Sequence, residues 1–144
     1  MSQLPITGGC LCKAIRFTVS AQPIRVRQCW CRDCQYWAAG SATVNALFET
    51  ASVKLEGKLS TYVSQADSGN TMTRGFCSTC GTPVTSASNA HPDFMILRVG
   101  TFDDPAIAAP VLNIWTSSAP PWAHLDPELP STPAQPLAAL PPAR

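Results

Sequence analysis

Residues 29–34 read Cys29-Trp30-Cys31-Arg32-Asp33-Cys34, a C-x-C-x-x-C run that packs three thiols into six residues. Two more groups flank it: Cys10-Leu11-Cys12 before it, and Cys77-Ser78-Thr79-Cys80-Gly81 after it. A C-x-x-C turn closed by glycine lets both sulfurs face one ion, because the knuckle needs a residue tolerating positive φ just past the second ligand. A C-x-C pair in a strand sends both side chains to one face with Cα atoms about 6.6 Å apart. Leaning inward, such sulfurs reach the roughly 3.8 Å separation of a tetrahedral ion with about 2.3 Å metal–sulfur bonds. Each pair alone is a weak signal. Three ligand-type spacings in one chain point to metal binding rather than to buried thiols acting as small hydrophobes.

Seven thiolates divide into four plus three. Four close a structural zinc site, whereas three leave a position for water or substrate, the mark of a catalytic zinc. Separation along the chain suggests that Cys10 and Cys12 join Cys77 and Cys80, leaving Cys29, Cys31 and Cys34 with a second ion. Spacing alone leaves that partition open. A histidine, His91 or His124, is the alternative fourth ligand, which would make both ions structural. Iron–sulfur clusters also take thiolates but usually four per cluster, so zinc is the expectation.

Four thiolates around a divalent ion sum to −2 and three to −1, so neighbouring cations stabilise the bound form. Residues 1–35 carry Lys13, Arg16, Arg25, Arg27 and Arg32 against Asp33 alone, a patch suited to an anionic thiol. Arg32, inside the cysteine run, is the candidate to neutralise developing charge or a substrate carboxylate. Asp33 is a candidate proton acceptor or short-helix cap.

At 144 residues the chain fits one domain with a real core. Hydrophobic residues make up 45% and charged ones 13%, which excludes an intrinsically disordered chain. A net charge of +1 argues against a nucleic-acid partner. An odd cysteine count and an N-terminus without a basic-then-apolar leader argue against a secreted disulfide scaffold, and no apolar run approaches roughly 18 residues. The expectation is a cytoplasmic protein with reduced thiols and no membrane contact. The oligomeric state is not readable from these features.

Period-two runs predict seven short strands, at 15–19, 24–28, 42–48, 59–63, 71–76, 94–99 and 111–116. The first two read as a hairpin joined through Ala21-Gln22-Pro23. Short helical turns are expected at Asp33–Ala39 and at Pro105–Ala109, the latter capped by Asp104. Ten of the 14 prolines fall at or after Pro105, and residues 127–144 carry six, which reads as a tail or extended strap. The fold class is mainly β, with a zinc-binding domain over 1–130 and a Pro/Ala-rich tail over 131–144.

With Gly8-Gly9 before Cys10, Phe76 before Cys77, Thr82-Pro83 after Gly81, Val99-Gly100-Thr101-Phe102-Asp103, and Asn113-Ile114-Trp115 through Trp122, the three motifs resemble the glutathione-dependent formaldehyde-activating enzyme family, which includes centromere protein V domains. The resemblance runs from about Ile6 to Pro130. It implies a β-tent fold of antiparallel sheets, a structural zinc on Cys10, Cys12, Cys77 and Cys80, and a catalytic zinc on Cys29, Cys31 and Cys34. It further implies carbon–sulfur lyase chemistry, the condensation of formaldehyde with glutathione to S-hydroxymethylglutathione or its reverse. Trp30 and Asn113 stand where the family usually has histidine, which implies an apolar pocket wall at one and a non-titrating one at the other. The competing class is a non-catalytic zinc-stabilised binding module, with Trp30, Trp37, Trp115 and Trp122 as interface anchors.

Overall fold

Successive side chains of a strand point to opposite faces, so a sheet whose strands carry apolar residues at one parity and polar residues at the other separates two environments. The computed structural model, which describes residues 3–136, builds its larger sheet this way. The strands are β1 (Ile6–Gly9), β2 (Arg16–Val19), β3 (Arg25–Cys29), β4 (Thr43–Glu49), β5 (Val53–Glu56), β6 (Ser60–Gln65), β7 (Thr71–Phe76), β8 (Pro83–Ser88), β9 (Phe94–Arg98) and β10 (Leu112–Ile114). One helix, α1 (Arg32–Trp37), follows β3. The smaller sheet has the order β1-β2-β5 and the larger the order β10-β3-β4-β9-β8-β7-β6. The fold is mainly β.

On β4, Val44, Ala46 and Phe48 pack with Phe17 and Val19 of the smaller sheet and Leu97 of β9. Phe102 ties this core together, its ring 5.9 Å from that of Phe17 and 6.3 Å from that of Phe48. Phe17 and Phe48 are almost fully buried, each contributing about 1.5–3 kcal/mol through removal from water. The alternate residues of β4, Asn45 and Leu47, face the other side of the sheet and line a cavity.

Among the described residues, ten strands replace the seven expected. β1 ends in two glycines, β5 has only four residues, and β8 (Pro-Val-Thr-Ser-Ala-Ser) lacks large apolar side chains, so each carries a weak periodic signal. The expected 15–28 hairpin is not formed. β2 pairs with β1 and β5, whereas β3 pairs with β4 and β10, and the intervening segment crosses between the sheets. Ser20 donates its backbone N–H to Ser52, and Ile24 donates to Leu47, so each end of the crossing already belongs to a different sheet. The sheets are not wholly antiparallel either, since β10 lies parallel to β3 with Ile114 opposite Cys29. The Cys10-Leu11-Cys12 pair occupies the turn after β1 rather than a strand.

The turn at Pro105–Ile107 is capped as expected, with the Asp104 carboxylate accepting from the Ala106 N–H. In α1, however, the cap is Cys31, whose Sγ accepts from the Cys34 N–H, and not Asp33. Past Pro130 the chain runs as a strap along β10: Asn113 donates to the Pro130 carbonyl at 3.0 Å and accepts from the Thr132 N–H at 2.9 Å. Residues 137–144 of the expected tail lie outside the described residues. Among the described residues, no helix is long and apolar enough to cross a membrane.

Close approach at β1 makes a sharp test. A Cβ on Gly8 would collide with the Thr101 carbonyl oxygen and the Phe17 ring. Gly8→Ala should therefore lower stability by about 1–3 kcal/mol, read as a reduced urea midpoint with an unchanged slope; an unchanged midpoint would refute this packing. A second test uses Asp103, which accepts from Arg16 at 2.6 Å and from the Thr7 hydroxyl at 2.7 Å. The Arg16 hydrogen bond, then Thr7, holds its carboxyl down to about 2. The folded value lies below the unfolded one, so this stabilisation is present above about pH 4 and fades as pH falls toward 2. Because the pair is partly exposed, Asp103→Asn should flatten that acid limb by no more than about 1 kcal/mol.

Candidate metal and thiol site

Two groups of sulfurs form, and together they use all seven cysteines. The first takes Cys10 and Cys12 from the β1–β2 turn and Cys77 and Cys80 from the β7–β8 turn, so it spans both sheets. The Cys12 Sγ lies 3.6 Å from that of Cys10 and 3.7 Å from that of Cys77, and all four sulfurs fall within 4.8 Å of one another. No cysteine is in a disulfide, and these separations match the roughly 3.8 Å edge of a tetrahedral thiolate site. The turns supply the rest of the cage. Gly81 takes φ 76° and returns its N–H to the Cys77 carbonyl at 2.8 Å, while Lys13, at φ 69°, does the same to Cys10 at 3.1 Å. Backbone N–H groups of Ile15 and Thr79 donate to the sulfurs of Cys10 and Cys77 at 3.2 and 3.4 Å. Such donors favour the charged form of a thiol. Hydrogen bonds from Thr82 likewise pull Cys80 down to about 5.

The second group has Cys29 at the end of β3, Cys31 at the cap of α1 and Cys34 in its first turn, all buried and with sulfurs within 4.8 Å of one another. These three line a cavity of about 670 Å³ on the face of the larger sheet turned away from the core, a volume in the range of small-molecule sites. Strand parity furnishes its wall: Arg25 and Arg27 share the Cys29 face of β3, and β4, β9 and β7 add Asn45, Arg98 and Arg74. Hydrogen bonds from the Cys29 and Cys31 thiols, then the Arg98 charge, pull Cys34 well below an ordinary thiol. The same contacts with Cys31 and Cys34, together with burial, push Cys29 far up. Three thiols this close oppose one another's ionisation, and a divalent cation is what would let all three ionise. Both donor sets fit a thiophilic metal, and zinc in particular.

Several expected residues sit elsewhere. Arg32 lies exposed on α1, its guanidinium bonded to Gln35 and 5.1 Å over the Tyr36 ring, and it is not among the cavity-lining residues. Asp33 pairs with Arg74 at 3.4 Å. Arg16 belongs to the smaller sheet, bound to Asp103. Neither His91 nor His124 joins a sulfur group, although His91 lines the cavity. Trp30 and Asn113 are buried but do not line the cavity; within β10, Asn113 has the parity opposite to the cavity-lining Ile114. Trp37 packs against Phe76 with ring centroids 5.9 Å apart, Trp115 lines the cavity, and Trp122 is exposed. The residues missed in the sequence are Arg74 and Arg98, both buried. Their one signal is a lone charge inside an otherwise uncharged strand, Thr-Met-Thr-Arg-Gly-Phe in β7 and Phe-Met-Ile-Leu-Arg in β9.

Two sheets joined by four sulfurs, with a three-sulfur group set in a cationic cavity, define a mainly β protein whose cysteines can hold metal. A family model described as glutathione-dependent formaldehyde-activating enzyme matches residues 5–118, and the chain belongs to that family. No curated protein matches the sequence significantly. Among solved structures, a crystal structure of a Rhodobacter sphaeroides protein superposes with a TM-score of 0.55 at 18% identity, covering 88% of this chain and 99% of that one, a likeness of fold.

The two groups should respond differently to loss of a ligand. Cys77→Ser should remove one metal equivalent and a large part of the stability, up to the order of 10 kcal/mol, because its site joins the sheets. Cys31→Ser should remove one equivalent with a much smaller fall in melting temperature. Elemental analysis and thermal melts of both variants check this; equal destabilisation would contradict the assignment of the sheet-joining role.

Proposed function

We propose that the protein is a zinc-dependent carbon–sulfur lyase acting on the adduct of glutathione, or a similar small thiol, with formaldehyde or a related small aldehyde. The observation that carries this reading is the placement of Cys29, Cys31 and Cys34, three sulfurs lining one cavity. Family membership supports the substrates. In this reading Cys10, Cys12, Cys77 and Cys80 hold a structural zinc, and Cys29, Cys31 and Cys34 hold a second one in a β-tent arrangement. Seven reduced cysteines support a cytoplasmic setting.

Zinc at the three-sulfur site supplies a Lewis acid that lowers the pKa of a nearby thiol. In the forward direction the thiol loses its proton, its sulfur bonds to the aldehyde carbon, the carbonyl π pair moves to oxygen, and that oxygen takes a proton. The reverse breaks the same carbon–sulfur bond and returns aldehyde and thiol, so no oxidant or reductant is required. The arginines of the wall make the cavity favourable to thiolate over thiol. Arg98, held by the Asn45 side-chain oxygen at 2.6 Å, keeps positive charge beside Cys34. Leu47 and Ile96 give the cavity an apolar floor that suits a short aliphatic aldehyde carbon.

Cys34→Ser tests the reading. Thiol-dependent formaldehyde consumption, or its reverse, should fall at least about 100-fold, a loss of roughly 2.7 kcal/mol in transition-state stabilisation, with one zinc lost and the fold retained by circular dichroism. Wild-type rates in a variant lacking that zinc would overturn it.

A further inference from the structure

A strand at the edge of a sheet presents a row of unpaired N–H and C=O groups, and proteins cover, shorten or charge such edges to keep other chains away. The two sheets have four edges, β10 and β6 of the larger and β1 and β5 of the smaller. Three of them are protected. The strap lies along β10 and bridges Asn113 to Ser131. β1 is bridged at Gly8 to Phe102, and Asp103 donates its N–H to the Thr7 carbonyl. β5 has only four residues and exposes Lys54 and Glu56. β6 has none of these devices. Its six residues, Ser-Thr-Tyr-Val-Ser-Gln, include no charge and no proline, and they pair with β7 in unbroken register. Among the described residues, no backbone group outside the sheet bonds to β6. Tyr62 and Val63 are 57% and 53% exposed, and Tyr36 of α1, also exposed, lines one small cleft with Tyr62.

We propose that β6 is a self-association edge, through which two copies of the chain pair antiparallel and join their larger sheets into one. Charge at its ends selects a second copy as the occupant. Lys58 lies just before β6 and Asp67 just after it, both exposed and neither in an ion pair among the described residues. An antiparallel copy brings the Lys58 end of each strand beside the Asp67 end of the other, and the uncharged centre opposes no like charges. A two-fold axis normal to the sheet keeps every side chain on its own face, so residues of equal parity meet. The register centred on Tyr62 sets Tyr62 against its own copy, Thr61 against Val63 and Ser60 against Ser64. These are an aromatic pair, a β-branched pair and a hydroxyl pair, all favourable across strands, and the ladder adds about four to six backbone hydrogen bonds. The pairing also reaches the cavity. Ala66, Asp67 and Ser68, in the turn after β6, line it, so Lys58 of the second copy stands at its rim.

Sedimentation equilibrium of the full zinc-loaded chain across the micromolar range tests this. The wild type should reach twice the chain mass. Tyr62→Lys sets two like charges against each other at the centre and should weaken association at least about tenfold, with circular dichroism and metal content unchanged. Lys58→Glu should weaken it severalfold, and Lys58→Glu/Asp67→Lys should restore it, a rescue that a general loss of stability does not produce. A dimer that Tyr62→Lys leaves intact, or a double variant no better than Lys58→Glu, would overturn the pairing. A wild type that stays monomeric would overturn it too, whether its β6 amides exchange freely with deuterium or are covered by some other chain.

Discussion

Four sulfurs drawn from two different sheets meet within 4.8 Å of one another, and the relation between those sheets depends on what lets them do so. Thiolates this close repel unless a cation sits among them, so the site converts an electrostatic cost into a cross-link when metal binds. Its location matters as much as its strength. The β1–β2 and β7–β8 turns belong to separate sheets, and the Leu11 N–H also donates to the Thr82 hydroxyl at 3.2 Å. A cross-link at the turns leaves the strand faces free to pack, and the core around Phe17, Phe48 and Phe102 fills the space between.

With the sheets fixed from one side, the other face of the larger sheet is available for chemistry. β4 shows the division: Ala46 and Phe48 belong to the core, Asn45 and Leu47 to the cavity. Buried arginines are costly when unpaired, and here Arg74 of β7 and Arg98 of β9 line the same cavity as the three buried cysteines, whose negative charge when ionised offsets part of that cost. Arg98 illustrates the coupling. Burial pulls its guanidinium down, and the Cys34 charge offsets part of that cost.

The cysteine groups were legible because ligand spacing is a local property; sequence separation suggested the four-plus-three division without deciding it, and the structure gathers the sulfurs in that grouping. Strands rich in Val, Ile and Phe were legible for the same reason. Pairing was not. β2 and β3 are consecutive and both alternate, which suits a hairpin, but their partners are chosen by contacts with β5 and β10 much further along the chain. Arg32 drew attention through proximity in sequence, yet Arg74 and Arg98 reach the cavity through sheet register, which no local window contains.

The strap completes the division of labour. Trp115 occupies the left-handed region at φ 58° and ψ 36°, a conformation that costs a residue with a Cβ about 1–2 kcal/mol. Strap contacts offset it: Trp115 donates its backbone N–H to Ala134 and its indole N–H to the Gln135 side chain at 3.0 Å, while Thr116 and Ser117 donate to Thr132 and Pro133. The turn carries Trp115 and Gln135 to the cavity wall, bringing an indole and an amide to the edge beside Ile114. Because β10 has only three residues, the strap's hydrogen bonds are what extend that edge of the sheet. The wall of the cavity beside Ile114 is therefore only as well formed as the strap that pairs with it.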